Sequence, residues 1–213
     1  MVITDPWAQI AAERRSLADL LDTLSPAQWE APSLCGSWSV KEVAVHLTSG
    51  PSTSTRTLVK AMARGRGSFD RANELLVAWR SSVEPAEVTG WLREYAEHRF
   101  TPPTMDWHAP FSDLRIHAQD IVIPLGLDAG VPLEPWRDVL DFLASKAASR
   151  GFVPRGRPAL TWVATDLGWS AGGGARVEGP ARALATAMCG RSALVGELTG
   201  PGVPALQAWL RNR

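Results

Sequence analysis

Tyrosine occurs once in these 213 residues and cysteine twice, and the formal net charge is zero. No apolar run reaches the roughly 18 residues that a membrane span requires. Each shortage excludes something. With 22 basic and 22 acidic side chains, there is no basic excess of the kind that phosphate neutralisation demands, so no nucleic-acid partner is expected. Cys35 and Cys189 lie far apart, match no zinc-ligand spacing and make no disulfide framework, which fits reduced thiols in a cytoplasm. The opening MVITDPWAQI has no basic segment followed by an apolar one. No signal peptide and no membrane partner are therefore expected, and the localisation reads as cytoplasmic. The one local basic cluster, Arg64, Arg66 and Arg71 around Gly65 and Gly67, reads as a solvated loop.

What is present is an apolar fraction of 45%, enough to build a core in one large domain, or in one domain with a smaller partner. Most of the pattern is helical. Asp5-Pro6 has the form of a cap followed by proline at the first helical position, and Ile10, Leu17, Leu20, Leu21 and Leu24 follow at helical spacing. Ser39 to Glu42 has the form of a capping box ahead of Val40, Val43, Ala44 and Leu47. That helix is expected to run, with a kink near Pro51, to about Met62. Further helices are expected over 70–82, 84–98, 111–125 and 134–149. Past Gly151 the composition turns to Gly, Pro and Arg, with a strand over 160–165, a turn at Gly172-Gly173-Gly174, a second short strand near Val177, and helices over 181–189 and 204–211. The fold class read from this is mainly α: a helical bundle over 1–150 and a small α+β domain over 151–213.

Chemistry concentrates on the helix over 111–125. Asp113, His117 and Asp120 stand at i, i+4 and i+7, within about 60° of one another around the helix. Leu114, Ala118, Ile121 and Leu125 lie to one side of this stripe, Ile116 and Ile123 to the other. A polar stripe between apolar flanks faces a bundle interior, where its members need partners. His46, beside the apolar Val43/Leu47 face of its own helix, is the natural one. Two imidazoles and a carboxylate from facing helices can make three corners of a divalent-metal site with a position left for water or substrate, and Asp120 would orient a ligand from behind. The same residues could equally form a hydrogen-bond network with no ion.

The segment LCGSWSVKEVAVHL, residues 34–47, resembles the first motif of the DinB-like superfamily, and more closely that of the mycothiol-dependent maleylpyruvate isomerase family. DLRIHAQDI, residues 113–121, with Pro124 to Gly126, is similar to that family's helix of carboxylate, histidine and aspartate. ATDLGW (164–169), VEGP (177–180), Gly190-Arg191 and LTGPG (198–202) are similar to its C-terminal domain. The resemblance implies a DinB-like four-helix bundle that binds metal, zinc before nickel, through His46, Asp113 and His117, with Asp120 behind them. Aspartate at 113 departs from the glutamate of the characterised isomerases and is one methylene shorter. The resemblance also implies mycothiol as thiol cosubstrate and an active-site arginine from the C-terminal domain, for which Arg191 is the candidate. Cys189 beside it reads as a small buried thiol, His98 as a solvated helix residue, and His108 as a residue that could line a pocket mouth.

The function that follows is an isomerase or thiol S-transferase acting on a small electrophile, with a low-molecular-weight thiol as partner. A homodimer is compatible with it. The alternative is a non-catalytic metal- or small-ligand-binding module on the same bundle.

Overall fold

The computed structural model describes residues 5–212, which fall into two compact units, one ending at Ala129 and the other starting at Gly130. The first is helical throughout. Asp5 caps α1 (Pro6–Leu21), its carboxylate accepting from the Trp7 and Ala8 amides. Ser25 and Gln28 form a capping box around the single turn α2 (Pro26–Trp29). The expected capping box of Ser39 and Glu42 opens α3 (Val40–Ser52). α3 stops earlier than the apolar pattern suggested. Thr53 is extended and Ser54 caps a separate helix, α4 (Thr55–Arg64), by accepting from the Thr57 amide. There follow α5 (Phe69–Ala78), α6 (Pro85–Glu94) and the long α7 (His108–Leu125), which ends where Gly126 adopts the left-handed conformation.

Helices α1, α6, α3 and α7 close a ring in that order, each packed on the next, and form a four-helix bundle. Ile10, Leu17, Leu21, Val40, Val43, Val88, Leu92, Leu114 and Ile121 fill it. α4 and α5 form a helical hairpin attached through α5 to α3. The α1 face that carries Ile10 and Leu17 also carries Glu13 and Arg14, so two charges are buried with it. Arg14 donates to the carbonyls of Tyr95, Ala96 and His98, just beyond the C-terminal end of α6. Glu13 pairs with Arg115 of α7 through Nε at 2.9 Å and through a second, shorter bond from Arg115 Nη2. Arg115 is fully buried, and its guanidinium also lies over the Phe111 ring. A buried pair of opposite charge thus ties α1 to the helix that carries the chemistry.

In the second unit, α8 (Trp136–Ala144) precedes a three-stranded sheet of β1 (Leu160–Ala164), β2 (Trp169–Gly172) and β3 (Ala175–Gly179), followed by α9 (Ala181–Met188) and α10 (Val203–Arg211). The sheet order is β2-β1-β3, β1 running antiparallel to β2 and parallel to β3. The chain therefore crosses the start of β1 through Gly172-Gly173-Gly174. A Cβ at Gly172 would meet the Leu160 carbonyl oxygen and one at Gly174 that of Ala159, and both glycines have positive φ. The strand β2 was not expected from the sequence.

The sequence boundary at residue 150 followed the change in composition, whereas the compact units divide at 129/130. The apolar face of α8, with Trp136, Val139, Leu140 and Leu143 buried, packs on α9 and β2, and Asp141 accepts from the Trp169 indole N–H at 2.7 Å. Composition does not reveal which unit a helix covers. Among the described residues no helix is long and apolar enough to cross a membrane.

Candidate metal centre

The turn Ser33–Trp38 and helices α3 and α7 assemble the site. The Leu34 amide donates to the Asp120 carbonyl at 3.1 Å, which fastens the turn to α7. Ser33 Oγ donates to the Trp38 carbonyl and accepts from the Cys35 amide, fixing the turn internally. Trp38 leans on the His46 ring at 5.2 Å between centroids. The capping box fixes where α3 begins, and two turns later His46 points at α7.

There the two imidazoles converge on one carboxylate. His46 Nε2 lies 3.5 Å from Asp113 Oδ2, and His117 Nε2 lies 3.4 Å from Asp113 Oδ1. The rings meet edge to face with centroids 4.8 Å apart. Behind them Asp120, fully buried, accepts from His117 Nδ1 at 2.9 Å. With that nitrogen committed to Asp120, Nε2 is the ring atom that faces Asp113. The structure brings His46, Asp113 and His117 together, with Asp120 behind one of them.

The spacing bears on two uses of these groups. A histidine–carboxylate hydrogen bond has its heavy atoms about 2.7–3.2 Å apart, which the His117–Asp120 pair satisfies. The two contacts to Asp113 are longer. Each, to a different oxygen of Asp113, is close to the separation of about 3.3 Å between two ligand atoms that sit about 2.0–2.1 Å from a shared zinc ion. The three donor atoms lie within 4.8 Å of one another. Aspartate, one methylene shorter than glutamate, still sets its two oxygens 3.5 and 3.4 Å from the two Nε2 atoms. These residues fit a divalent cation.

Without an ion the cluster is held by charge. Burial works against ionised Asp113, but His46 and then His117 outweigh it and hold the carboxyl far below the usual carboxylate range. About a third of that side chain still meets solvent, leaving an open side to the site. Burial likewise works against protonated His117, but the charge of Asp113, with hydrogen bonds of the imidazole to Asp113, Asp120 and Cys35, leaves it well above the ordinary histidine value.

Cys35 is the residue the sequence reading missed. Its Sγ forms a second group with His117 and Asp120, the three donor atoms again within 4.8 Å of one another. No ligand spacing announces it, because the proximity arises from the Leu34–Asp120 backbone bond and not from the helix period. His108 accompanies Asp106 at 2.8 Å and stacks on Trp107 at the start of α7, while His98 is exposed. Arg191 belongs to the second unit, where it follows α9 and donates to the Cys189 carbonyl at 2.7 Å. Cys189 is buried, as the sequence suggested.

Residues 10–107 match the family model described as the mycothiol maleylpyruvate isomerase N-terminal domain. His46 lies inside that match, and Asp113 and His117 lie beyond its end. The chain is similar in structure to the crystal structure of the mycothiol-dependent maleylpyruvate isomerase and to that of its histidine-to-alanine mutant. In both cases the TM-score is 0.62 at 14% identity, over 92% of this chain and 91% of the other. At that identity the similarity establishes a shared fold. No curated protein matches the sequence. The match to the mycothiol maleylpyruvate isomerase N-terminal domain model thus covers a little under half of the chain, and the structural similarity extends the shared fold over most of the rest.

Proposed function

We propose that this protein is a divalent-metal-binding, mycothiol-dependent enzyme, an isomerase or thiol S-transferase acting on a small electrophile. The observation that carries the metal is the placement of two imidazole Nε2 atoms at 3.4 and 3.5 Å from the two oxygens of Asp113. The match of residues 10–107 to the mycothiol maleylpyruvate isomerase N-terminal domain model supports the thiol. His46, Asp113 and His117 would hold the ion, zinc or nickel by donor type. When bound, such an ion supplies positive charge that lowers the pKa of a thiol or water beside it.

The protein's own groups prepare that position. Asp120 keeps the proton on His117 Nδ1 and so keeps Nε2 free to bind. Asp113 contributes one negative charge, which leaves a site of two neutral imidazoles and one carboxylate with a net positive charge once a divalent ion is added. Such a site favours an anionic thiolate over a neutral thiol. Trp38 covers His46 on one side and limits water there.

The test follows both thiol consumption and cis-to-trans conversion of the electrophile, with zinc- or nickel-loaded protein, mycothiol and a panel of small electrophiles that includes cis-enedioates. The expected result is mycothiol-dependent turnover that disappears in His46→Ala. Stoichiometric metal with neither thiol consumption nor isomerisation anywhere in the panel would instead establish the non-catalytic module.

A further inference from the structure

The α4–α5 hairpin has an outer face that the proposed chemistry does not use. Its inner side is satisfied by a small apolar cluster of its own, Ala61, Ala72 and Leu76 with Leu58 and Met62. Yet three large apolar side chains remain outside: Val59 at 62% exposure, Phe69 at 46% and Trp79 at 40%. Cations surround them. Arg56, Lys60 and Arg64 repeat every four residues along the exposed side of α4, a helix with no acidic residue. Arg66 and Arg71 follow at and just past the tip, both exposed, against only Asp70 and Glu74. Lys60 Nζ and the Arg64 guanidinium lie 5.5 and 5.6 Å from the centre of the Trp79 ring, so a partly exposed indole is flanked by two charges. In a chain of zero net charge this concentration of basic groups is local to one hairpin.

Cations alone would serve any acidic partner. Cations interleaved with an exposed tryptophan, phenylalanine and valine suit a surface whose outside is anionic and whose inside is apolar, the arrangement of a bilayer of acidic lipids. The aromatic bodies would enter the headgroup layer while the guanidinium and ammonium groups stay at phosphate level. We infer that the α4–α5 hairpin is a peripheral attachment site for anionic lipid surfaces, centred on Lys60, Arg64 and Trp79. Attachment of this kind needs no membrane span and is independent of the metal centre. The sequence alone suggests a solvated loop at Arg64, Arg66 and Arg71 and no membrane partner, because Arg56, Lys60 and Trp79 join that cluster only in the folded hairpin.

Sedimentation of the full chain with vesicles tests it, comparing phosphatidylcholine alone with a mixture holding roughly one-third phosphatidylglycerol. Binding is expected to the mixture, to be absent with phosphatidylcholine alone, and to weaken as salt is added. The double variant Lys60→Glu/Arg64→Glu is expected to weaken it by at least about tenfold. Trp79→Ala is expected to weaken it severalfold, with the thermal midpoint of both variants close to wild type because all three side chains lie at the surface. Three results would overturn the inference: no binding to the mixed vesicles, no effect of the charge reversal, or retention on polyglutamate that Trp79→Ala leaves unchanged. The last would mark a charge-only surface for an acidic protein.

Discussion

His117→Ala should abolish stoichiometric metal binding, whereas Asp120→Asn should weaken it by about 10–100-fold and leave the stoichiometry intact. The difference follows from position. His117 supplies a donor atom 3.4 Å from Asp113, and its loss leaves one imidazole and one carboxylate, too few to hold an ion against water. Asp120 acts through the His117 ring, which it orients at 2.9 Å. Titration with zinc, followed by calorimetry or a competing chelator, separates the two variants. pH adds a further check with a definite sign. The metal-free His117 value is raised, chiefly by Asp113 acting against burial, so the ion must displace a proton from it. Affinity should therefore climb with pH up to that raised value and fall below it.

The same shifts fix the pH dependence of the metal-free fold. The His117 contribution to stability is fully present below the unfolded histidine value and is lost as pH rises through the folded one. The Asp113 contribution is present above the unfolded carboxylate value and is lost as pH falls through its depressed folded value.

Removing the carboxylate of Glu13 should produce the largest loss of stability among single substitutions in the bundle. Glu13→Ala strands the fully buried Arg115 guanidinium beside Phe111 with its strongest partner gone. Breaking a buried pair on one side destabilises by about 3–5 kcal/mol. Gln9, which donates to Glu13 at 2.7 Å, would lose its acceptor as well. The check is denaturant unfolding, where the midpoint should drop with an unchanged slope. A paired replacement, Glu13→Leu with Arg115→Met, should recover most of the loss, because two apolar side chains of similar volume leave no buried charge. If Glu13→Ala alone were neutral, the pair would not be the tie between α1 and α7 that its burial indicates.

These two predictions stand on unequal sequence signals. The site was legible because the helix period alone places Asp113, His117 and Asp120 on one stripe, and the Ser39/Glu42 capping box fixes where the helix carrying His46 begins. The Glu13–Arg115 pair had a signal that the sequence reading passed over: Glu13 falls at i+3 from Ile10 and i−4 from Leu17, on the apolar face of α1. Its partner, 102 residues away, had none. Cys35 was hidden for a similar reason, because only the Leu34–Asp120 backbone bond brings its thiol to His117. β2 escaped notice because the chain reaches β3 by crossing the start of β1 through three glycines, where a hairpin was not the topology. The split between α3 and α4 turned on Ser54 acting as a cap, a local hydrogen bond that outweighed the continuing apolar pattern.

X-ray absorption at the edge of the metal carried by protein purified without a histidine tag bears most directly on the central claim. The account predicts about one divalent ion per chain, with two imidazole nitrogens and a carboxylate oxygen about 2.0–2.1 Å from it. A sulfur neighbour at about 2.3 Å, which would transfer the ion to Cys35, or the absence of any metal edge after incubation with zinc and nickel, would contradict it.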